Sequence, residues 1–164
     1  MILSIDPGTT QTAYCFCNYD TLKPVSFGKV DNETIMSDVL PQINDYAIEC
    51  VAIEHMQGYN MPVGKEVFQT CIFIGRMLER IAHIQRSVKI LPIYRKDEKL
   101  AICGNLKAND TIIRHTLIDM FAQHDLKNGK GTKDNKDWFW DFKADVWSAY
   151  AIAYAAKMMM EGKI

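Results

Sequence analysis

Several features that would identify a function directly are missing from this sequence. The formal net charge is −1, with 19 basic and 20 acidic residues, so the chain lacks the overall positive charge that marks many nucleic-acid-binding proteins. No stretch approaches the ~20 consecutive apolar residues of a membrane span. The first residues also lack a basic segment followed by an apolar one, as a secretion signal would have. We therefore expect a protein without membrane association that works inside a cell.

The cysteines give no sign of a disulfide framework or a zinc site. There are five, an odd number, and no two are spaced as a CxxC pair. Most lie in apolar runs, such as Cys50 before Val51. We therefore predict free, mostly buried thiols in a reducing compartment.

The pattern of apolar residues predicts one α/β domain covering residues 1–164. A chain of this length can bury a sizeable core but is too short for two comfortable domains. Residues 2–6, 12–18 and 25–30 have the composition of strands joined by tight turns, which favours an antiparallel meander. Asn32 is a candidate cap for a helix that runs to residue 43. Strands at 50–54 and 88–93 then alternate with helices at 64–85, 108–123 and 144–160, which predicts a sheet flanked by helices.

Three carboxylates occupy positions that can converge on one site. Asp6 and Glu54 each end an apolar strand, and Asp145 lies near the start of the last helix. In open α/β sheets the carboxyl ends of the strands form the usual site. Carboxylates without Cys or His favour Mg²⁺ or Mn²⁺, and two such ions about 4 Å apart can cleave a phosphodiester. Taken singly, however, each acid is better explained by a local role in a turn or a helix N-terminus.

Read together, the segments that contain these acids resemble a known family. The sequences IDPGTT (residues 5–10), AIEH (52–55) and ADVWSA (144–149) are similar, in the same order, to the three signature segments of the RuvC family of Holliday-junction resolvases. Gly75 and Gly104 fit the intervening pattern, so the resemblance spans residues 2 to about 157. It implies a ribonuclease-H-like mixed sheet, with three antiparallel strands followed by parallel strands, flanked by helices. It also implies a homodimer that makes paired nicks across a four-way DNA junction.

The resemblance also implies which residues are catalytic metal ligands. Asp6, Glu54 and Asp145 match the family's ligands for two Mg²⁺ ions per site, with Mn²⁺ able to substitute. The family's fourth ligand falls at Phe142, so the match fails there. We take Asp141, four residues before Asp145 and thus on the same face of a predicted helix, as the fourth ligand. The alternative is that Asp141 is a solvated acid at the helix N-terminus.

Two family contacts to DNA are altered in this sequence. The family's Phe that probes the junction centre is replaced by Gln57, and we consider Tyr59 the residue that takes over its role. The second basic residue of the family's DNA-binding face falls at Asp110, and Lys107 is its nearest substitute, whereas Lys99 matches the first. These changes affect the preferred junction or sequence rather than cleavage itself.

A basic segment supports DNA binding independently of the resemblance. Between residues 86 and 114 there are seven basic residues against three acidic ones, an excess of four positive charges. Arg95 and Lys96 belong to this segment, so we add them to Lys99 and Lys107 as candidate contacts to branched double-stranded DNA. Local positive charge of this kind is what phosphate binding requires.

The helix predicted at residues 64–85 has more apolar surface than one sheet needs. One stripe contains Val67, Cys71, Ile74, Leu78 and Ile81, and further apolar residues lie outside it: Phe68, Ile72, Phe73 and Met77. A surface helix needs only one apolar face. We therefore predict that a second copy of the chain covers the other stripe in a two-fold homodimer. The alternative is that the helices at 108–123 and 144–160 cover it.

Two other functions stay open at this point. IDPGTT also resembles the phosphate loop of the actin-like ATPase fold, which allows an RNA-processing nuclease of that fold or an ATPase-related protein. A junction-binding protein without cleavage is a third possibility, although a pure binder has no use for the three acids. The short chain and altered DNA contacts suit a phage enzyme, so we expect the cytoplasm of a bacterial or phage-infected cell.

Overall fold

A five-stranded mixed sheet forms the centre of the molecule in a computed structural model that describes residues 1–58, 63–124 and 127–164. The strand order is β3-β2-β1-β4-β5. The first three strands are antiparallel, and β4 and β5 add to β1 in parallel, which confirms the predicted mixed sheet. The strands are β1 (Ile2–Asp6), β2 (Gln11–Cys17), β3 (Pro24–Asp31), β4 (Cys50–Glu54) and β5 (Lys89–Ile93).

The helices depart from the sequence prediction in two places. The segment after β3 is not one continuous α-helix, because a single turn, α1, is followed by π-helical Ile35–Val39 and 3₁₀-helical Leu40–Asn44. A helix not predicted from the sequence, α3, begins at Arg95 and ends before Gly104, which has the left-handed φ of 61°. The α-helices are α1 (Asn32–Thr34), α2 (Lys65–Ile84), α3 (Arg95–Cys103), α4 (Asp110–Phe121) and α5 (Val146–Met160).

The strands alternate between two cores, one on each face of the sheet. Leu3 and Ile5 of β1 face α2 and the helical segment after β3. Ile2 faces the opposite core, which is built from α3, α4 and α5. Because successive strand residues point to opposite faces, Asp6 lies on the same face as Ile2. The first acid of the predicted site therefore faces α5.

The turn between β1 and β2 is held by Asn32, which was predicted to cap a helix. The helix cap is instead Asp31, which makes no side-chain cap hydrogen bond. The Asn32 amide donates to the carbonyls of Gly8 and Thr9, both at 3.1 Å, and accepts from the Thr12 hydroxyl at 2.7 Å. A Cβ at Gly8 would lie 2.2 Å from the Gln11 carbonyl oxygen, so the turn requires glycine there.

The buried stripe of α2 differs from the predicted one. Phe73 and Met77, which were assigned to the outer surface, are 5% and 0% exposed and pack on the sheet, so that part of the prediction is wrong. Phe68 and Ile72 do lie on the outer surface, at 60% and 65% exposure. Since α4 and α5 pack on the opposite face of the sheet, they do not cover this outer stripe of α2.

The cysteines are free thiols, as predicted, but only three of the five are buried. Cys15, Cys17 and Cys50 lie in the sheet, Cys103 is partly exposed, and Cys71 is exposed on α2. Within the described ranges, no helix is long and apolar enough to cross a membrane.

Replacing Asn32 by alanine should loosen the turn that follows Asp6. Two backbone carbonyls and one hydroxyl lose their partner, so we expect the free energy of unfolding to fall by about 1 to 2 kcal/mol. Urea denaturation measures this change. Asn44→Ala is the matched control, because Asn44 is exposed. Equal stability of the two variants would contradict a role for Asn32 in holding the turn.

Candidate active site

Three functional side chains lie in one row across the sheet. Asp6 pairs with Ala13 of β2, and Ala13 pairs with Lys29 of β3. On the other side of β1, Ile5 pairs with Ile53 in parallel register, which places Glu54 beside Asp6. Paired residues point to the same face of a sheet. The row Lys29–Asp6–Glu54 therefore faces α5.

Asp6 and Glu54 lie side by side at the ends of β1 and β4 and form the centre of the site. The pKa of Asp6 is raised from 3.8 to about 8, first because burial disfavours the charged carboxylate and then because of the negative charge of Glu54. The charges of Asp145 and Glu98 raise it further. Without a cation, Asp6 therefore retains a proton near neutral pH.

Asp145 reaches the same site from the residue preceding α5 but is held by a lysine. Its carboxylate is 2.6 Å from the Lys29 ammonium, and the two side chains are 48% and 38% exposed. In the described part of the chain, no group of three His, Cys, Asp or Glu side chains is already arranged to hold a metal ion. The three predicted acids are thus neighbours, and one oxygen of Asp145 is paired with Lys29.

Glu98 is a fourth acid in this neighbourhood, and the sequence analysis did not select it. It lies on the buried side of α3, one turn before Ile102, and its side chain is 0% exposed. One carboxylate oxygen pairs with Arg95. Burial raises the pKa of Glu98 to about 8 despite the opposing charge of Arg95, and Glu54 raises it further. The sequence contains one signal for Glu98, because it is an acid on the side of α3 that otherwise carries apolar residues. That signal can be seen only when α3 is recognised as a helix.

Asp141 lies elsewhere than the sequence argument required. Because α5 begins at Val146, Asp141 is not one turn earlier on the same helix, and that premise is wrong. Its φ is 63°, its side chain is 59% exposed, and its carboxylate is 3.0 Å from the Lys143 ammonium. Phe142, at the family's ligand position, is fully buried in the core. The assignment of Asp141 as a metal ligand stays a prediction.

The predicted DNA contacts fall on and around α3. Lys96 and Lys99 line a cleft of about 440 Å³ together with the exposed Leu100 and Leu106. Lys107 is exposed in the turn before α4. Tyr59 lies outside the described residues.

Arg95 is also near this cleft, but its guanidinium is already bound. It pairs with Glu98 inside the molecule and with Asp110 at the surface. These two ion pairs give Arg95 a structural role in the protein without DNA. Its predicted contact to DNA stays a prediction.

Arg114 is a further basic residue at the site to which sequence reasoning assigned no role. It lies one turn after Asp110 on α4, and its guanidinium carbon is 5.0 Å from the centre of the Trp147 ring. With Asp145 and Ser148 it lines a cleft of about 300 Å³. A cation beside the acids is well placed for a phosphate of a bound strand.

The donor set suits a hard divalent cation. Asp6, Glu54 and Asp145 offer only carboxylate oxygens, which are the ligands that Mg²⁺ and Mn²⁺ prefer. One carboxylate oxygen of Glu98 is buried and has no hydrogen-bond partner among the described residues. Such an oxygen is costly to leave unsatisfied. The acids therefore fit a cation site better than a network closed by hydrogen bonds.

Asp6→Asn should stabilise the metal-free protein, and the gain should grow with pH. The folded-state pKa of Asp6 is raised, so ionisation opposes folding progressively as pH rises from about 4 towards 8. Asparagine removes this cost, which grows by up to about 1.4 kcal/mol per pH unit across that range. Urea denaturation in EDTA at pH 5 and pH 8 measures the difference. A difference from wild type that shrinks as pH rises would contradict the burial of Asp6.

The fold is supported by comparison with solved structures, whereas the sequence comparisons found no match. No protein-family model matches the sequence. The search of curated proteins gives no significant match.

Two solved structures match along almost the whole chain. The Thermus thermophilus RuvC bound to a Holliday junction substrate has a TM-score of 0.71 at 14% sequence identity, covering 98% of this chain and 95% of that one. A second Thermus thermophilus RuvC structure has a TM-score of 0.67 at 17% identity, covering 98% and 96%. This chain therefore has the ribonuclease-H-like fold of the RuvC resolvases.

Proposed function

We propose that this protein is a metal-dependent endonuclease that nicks branched DNA, including Holliday junctions. The proposal rests on the cluster of acids at the carboxyl ends of β1 and β4. There Asp6 lies beside Glu54, and Asp145 is near both. The RuvC fold adds support, because a protein of that fold is solved with a Holliday junction substrate.

In this proposal, Asp6, Glu54 and Asp145 hold two Mg²⁺ ions, for which Mn²⁺ can substitute. When bound, such ions activate a water and stabilise the leaving oxygen of the phosphodiester. The three acids would hold the ions, and the burial of Asp6 would limit the access of water to its carboxylate. Lys29, which pairs with Asp145 in the metal-free protein, would be available to contact a phosphate.

The DNA-binding surface in this proposal surrounds the acids. Lys96, Lys99 and Lys107 lie around α3 and the turn before α4, while Arg114 lies beside Asp145. In this proposal, these basic residues give a near-neutral chain the local positive charge that binds the phosphates of the cleaved strand. Contacts to phosphates position DNA without reading its sequence.

Single substitutions of the three acids should abolish cleavage and spare binding. We expect Asp6→Asn, Glu54→Gln and Asp145→Asn each to lose nicking of a labelled four-way junction by orders of magnitude in Mg²⁺. Binding in a mobility-shift assay should persist, because the basic residues remain. Asp119→Asn is the matched control, since Asp119 is exposed on α4.

Forked and linear duplexes of the same sequences test substrate choice in the same assay. We expect cleavage of the branched molecules only, and none in EDTA. Cleavage in EDTA, or full activity of any of the three variants, would overturn the metal mechanism. Junction binding without nicking by the wild type would favour the non-cleaving alternative.

We further propose that the protein forms a homodimer through the helix at residues 64–85. Phe68 and Ile72 lie one turn apart on the outer side of α2, and Val63 just before the helix is 46% exposed. The helices α4 and α5, which were the alternative cover, pack on the other face of the sheet. Two-fold dimers bury such a self-complementary stripe and would present two sites to the two equivalent strands of a junction.

A lysine at Ile72 should therefore separate the protomers. Sedimentation at micromolar protein without DNA measures the oligomeric state, and we expect a dimer for the wild type and a monomer for Ile72→Lys. Met120→Lys is the matched control, because Met120 is also exposed and apolar but lies on α4. A wild-type monomer, or an Ile72→Lys dimer, would count against this interface.

A further inference from the structure

Glu98 occupies a position in α3 where an apolar residue would be more stable. It lies one turn before Ile102 on the side of α3 that faces the core, and its side chain is 0% exposed. Burial of an ionised carboxylate costs several kcal/mol unless all of its oxygens find partners. A residue that breaks the local pattern at such a cost commonly serves a site.

In the described part of the chain, only one of the two carboxylate oxygens of Glu98 has a partner. Arg95 pairs with one oxygen, Oε2. The other oxygen, Oε1, is buried and has no hydrogen-bond partner in the ranges that the structure describes. Arg95 alone therefore does not explain why this acid is buried.

The environment of Glu98 is the acidic site itself. Ile93 of β5 pairs with Glu54, and α3 begins two residues later, so Glu98 in the first turns of α3 is next to the strand end that holds Glu54. The charges of Glu54 and Glu98 accordingly act on one another. Arg95 also forms an ion pair with Asp110 at the surface. This second ion pair holds the Arg95 guanidinium in place and thereby orients the Glu98 side chain. Carboxylates gathered in this way either keep a proton or bind a cation.

We propose that Glu98 is the fourth carboxylate of the divalent-cation site, with Arg95 and Asp110 as the residues that position it. The inference rests on the proposed function, because it names a further group for the same cations. It assigns to α3 the place that sequence analysis gave to Asp141, whose carboxylate pairs with Lys143 at the surface. Arg95 is then a positioning residue and not a contact to DNA.

A purely structural role makes the opposite prediction for a charge-removing variant. If Glu98 only anchors Arg95, Glu98→Gln weakens the pair, lowers stability and leaves cation binding unchanged. If Glu98 belongs to the cation site, Glu98→Gln removes a buried carboxylate whose ionisation opposes folding. The metal-free protein is then at least as stable as the wild type, while cation binding weakens.

The test is titration of the full chain with MnCl₂ in a calorimeter, without DNA, beside urea denaturation in EDTA. We expect Glu98→Gln to weaken Mn²⁺ binding about 10-fold or more, in the range seen for groups that support metal ligands, without loss of metal-free stability. Glu79→Gln, the same change at an exposed position of α2, should bind as the wild type does. Asp141→Asn should also keep its affinity.

The outcomes separate this inference from the proposed function. If the wild type binds Mn²⁺ and Glu98→Gln binds it with the same affinity, the role of Glu98 is overturned and the nuclease proposal still stands. Absence of Mn²⁺ binding by the wild type overturns both. If Glu98→Gln does not fold, Glu98→Asp carries the same test, because it keeps the charge and withdraws the carboxylate by one methylene. Unchanged affinity in that variant also overturns the inference.

Discussion

The parallel pairing of β1 with β4 places two acids side by side, and much of the site depends on the resulting repulsion. Asp6 and Glu54 end neighbouring strands in matching register, so neither can move away without breaking the sheet. Burial then favours a shared proton or a bound cation over two free charges. A positive charge is therefore energetically favourable at this point on the sheet face that packs against α5.

Cationic side chains around the site supply part of this positive charge and do not occupy the site itself. Lys29 pairs with Asp145, and Arg95 pairs with Glu98, while Asp6 retains its proton. Each contact lowers the electrostatic cost of the metal-free protein. In the proposed function, a divalent ion takes over this role, so stability without metal and cation binding would depend on the same carboxylates.

The fold was predictable because its signals are local. Short apolar runs between turn residues predict the strands, and an acid at the end of a run predicts a carboxylate at the sheet's edge. The helix α3 was missed because its first turn is a run of charged residues, Arg95 to Lys99, that hides the helical pattern. The buried stripe of α2 was misplaced because apolar residues surround most of that helix, so its pattern alone did not select the face formed by Phe73 and Met77.

By itself, then, the amino-acid sequence determined the strands and the long helices, because these depend on neighbours along the chain. Its resemblance to a known family selected Asp6, Glu54 and Asp145 as a set. Only the tertiary structure decided which charges meet across it. Lys29 reaches Asp145 through the register of three strands, and Glu98 reaches the Asp6–Glu54 pair through the packing of α3. The physical reason is that electrostatic interactions depend on distance in space, which spacing along the chain does not specify.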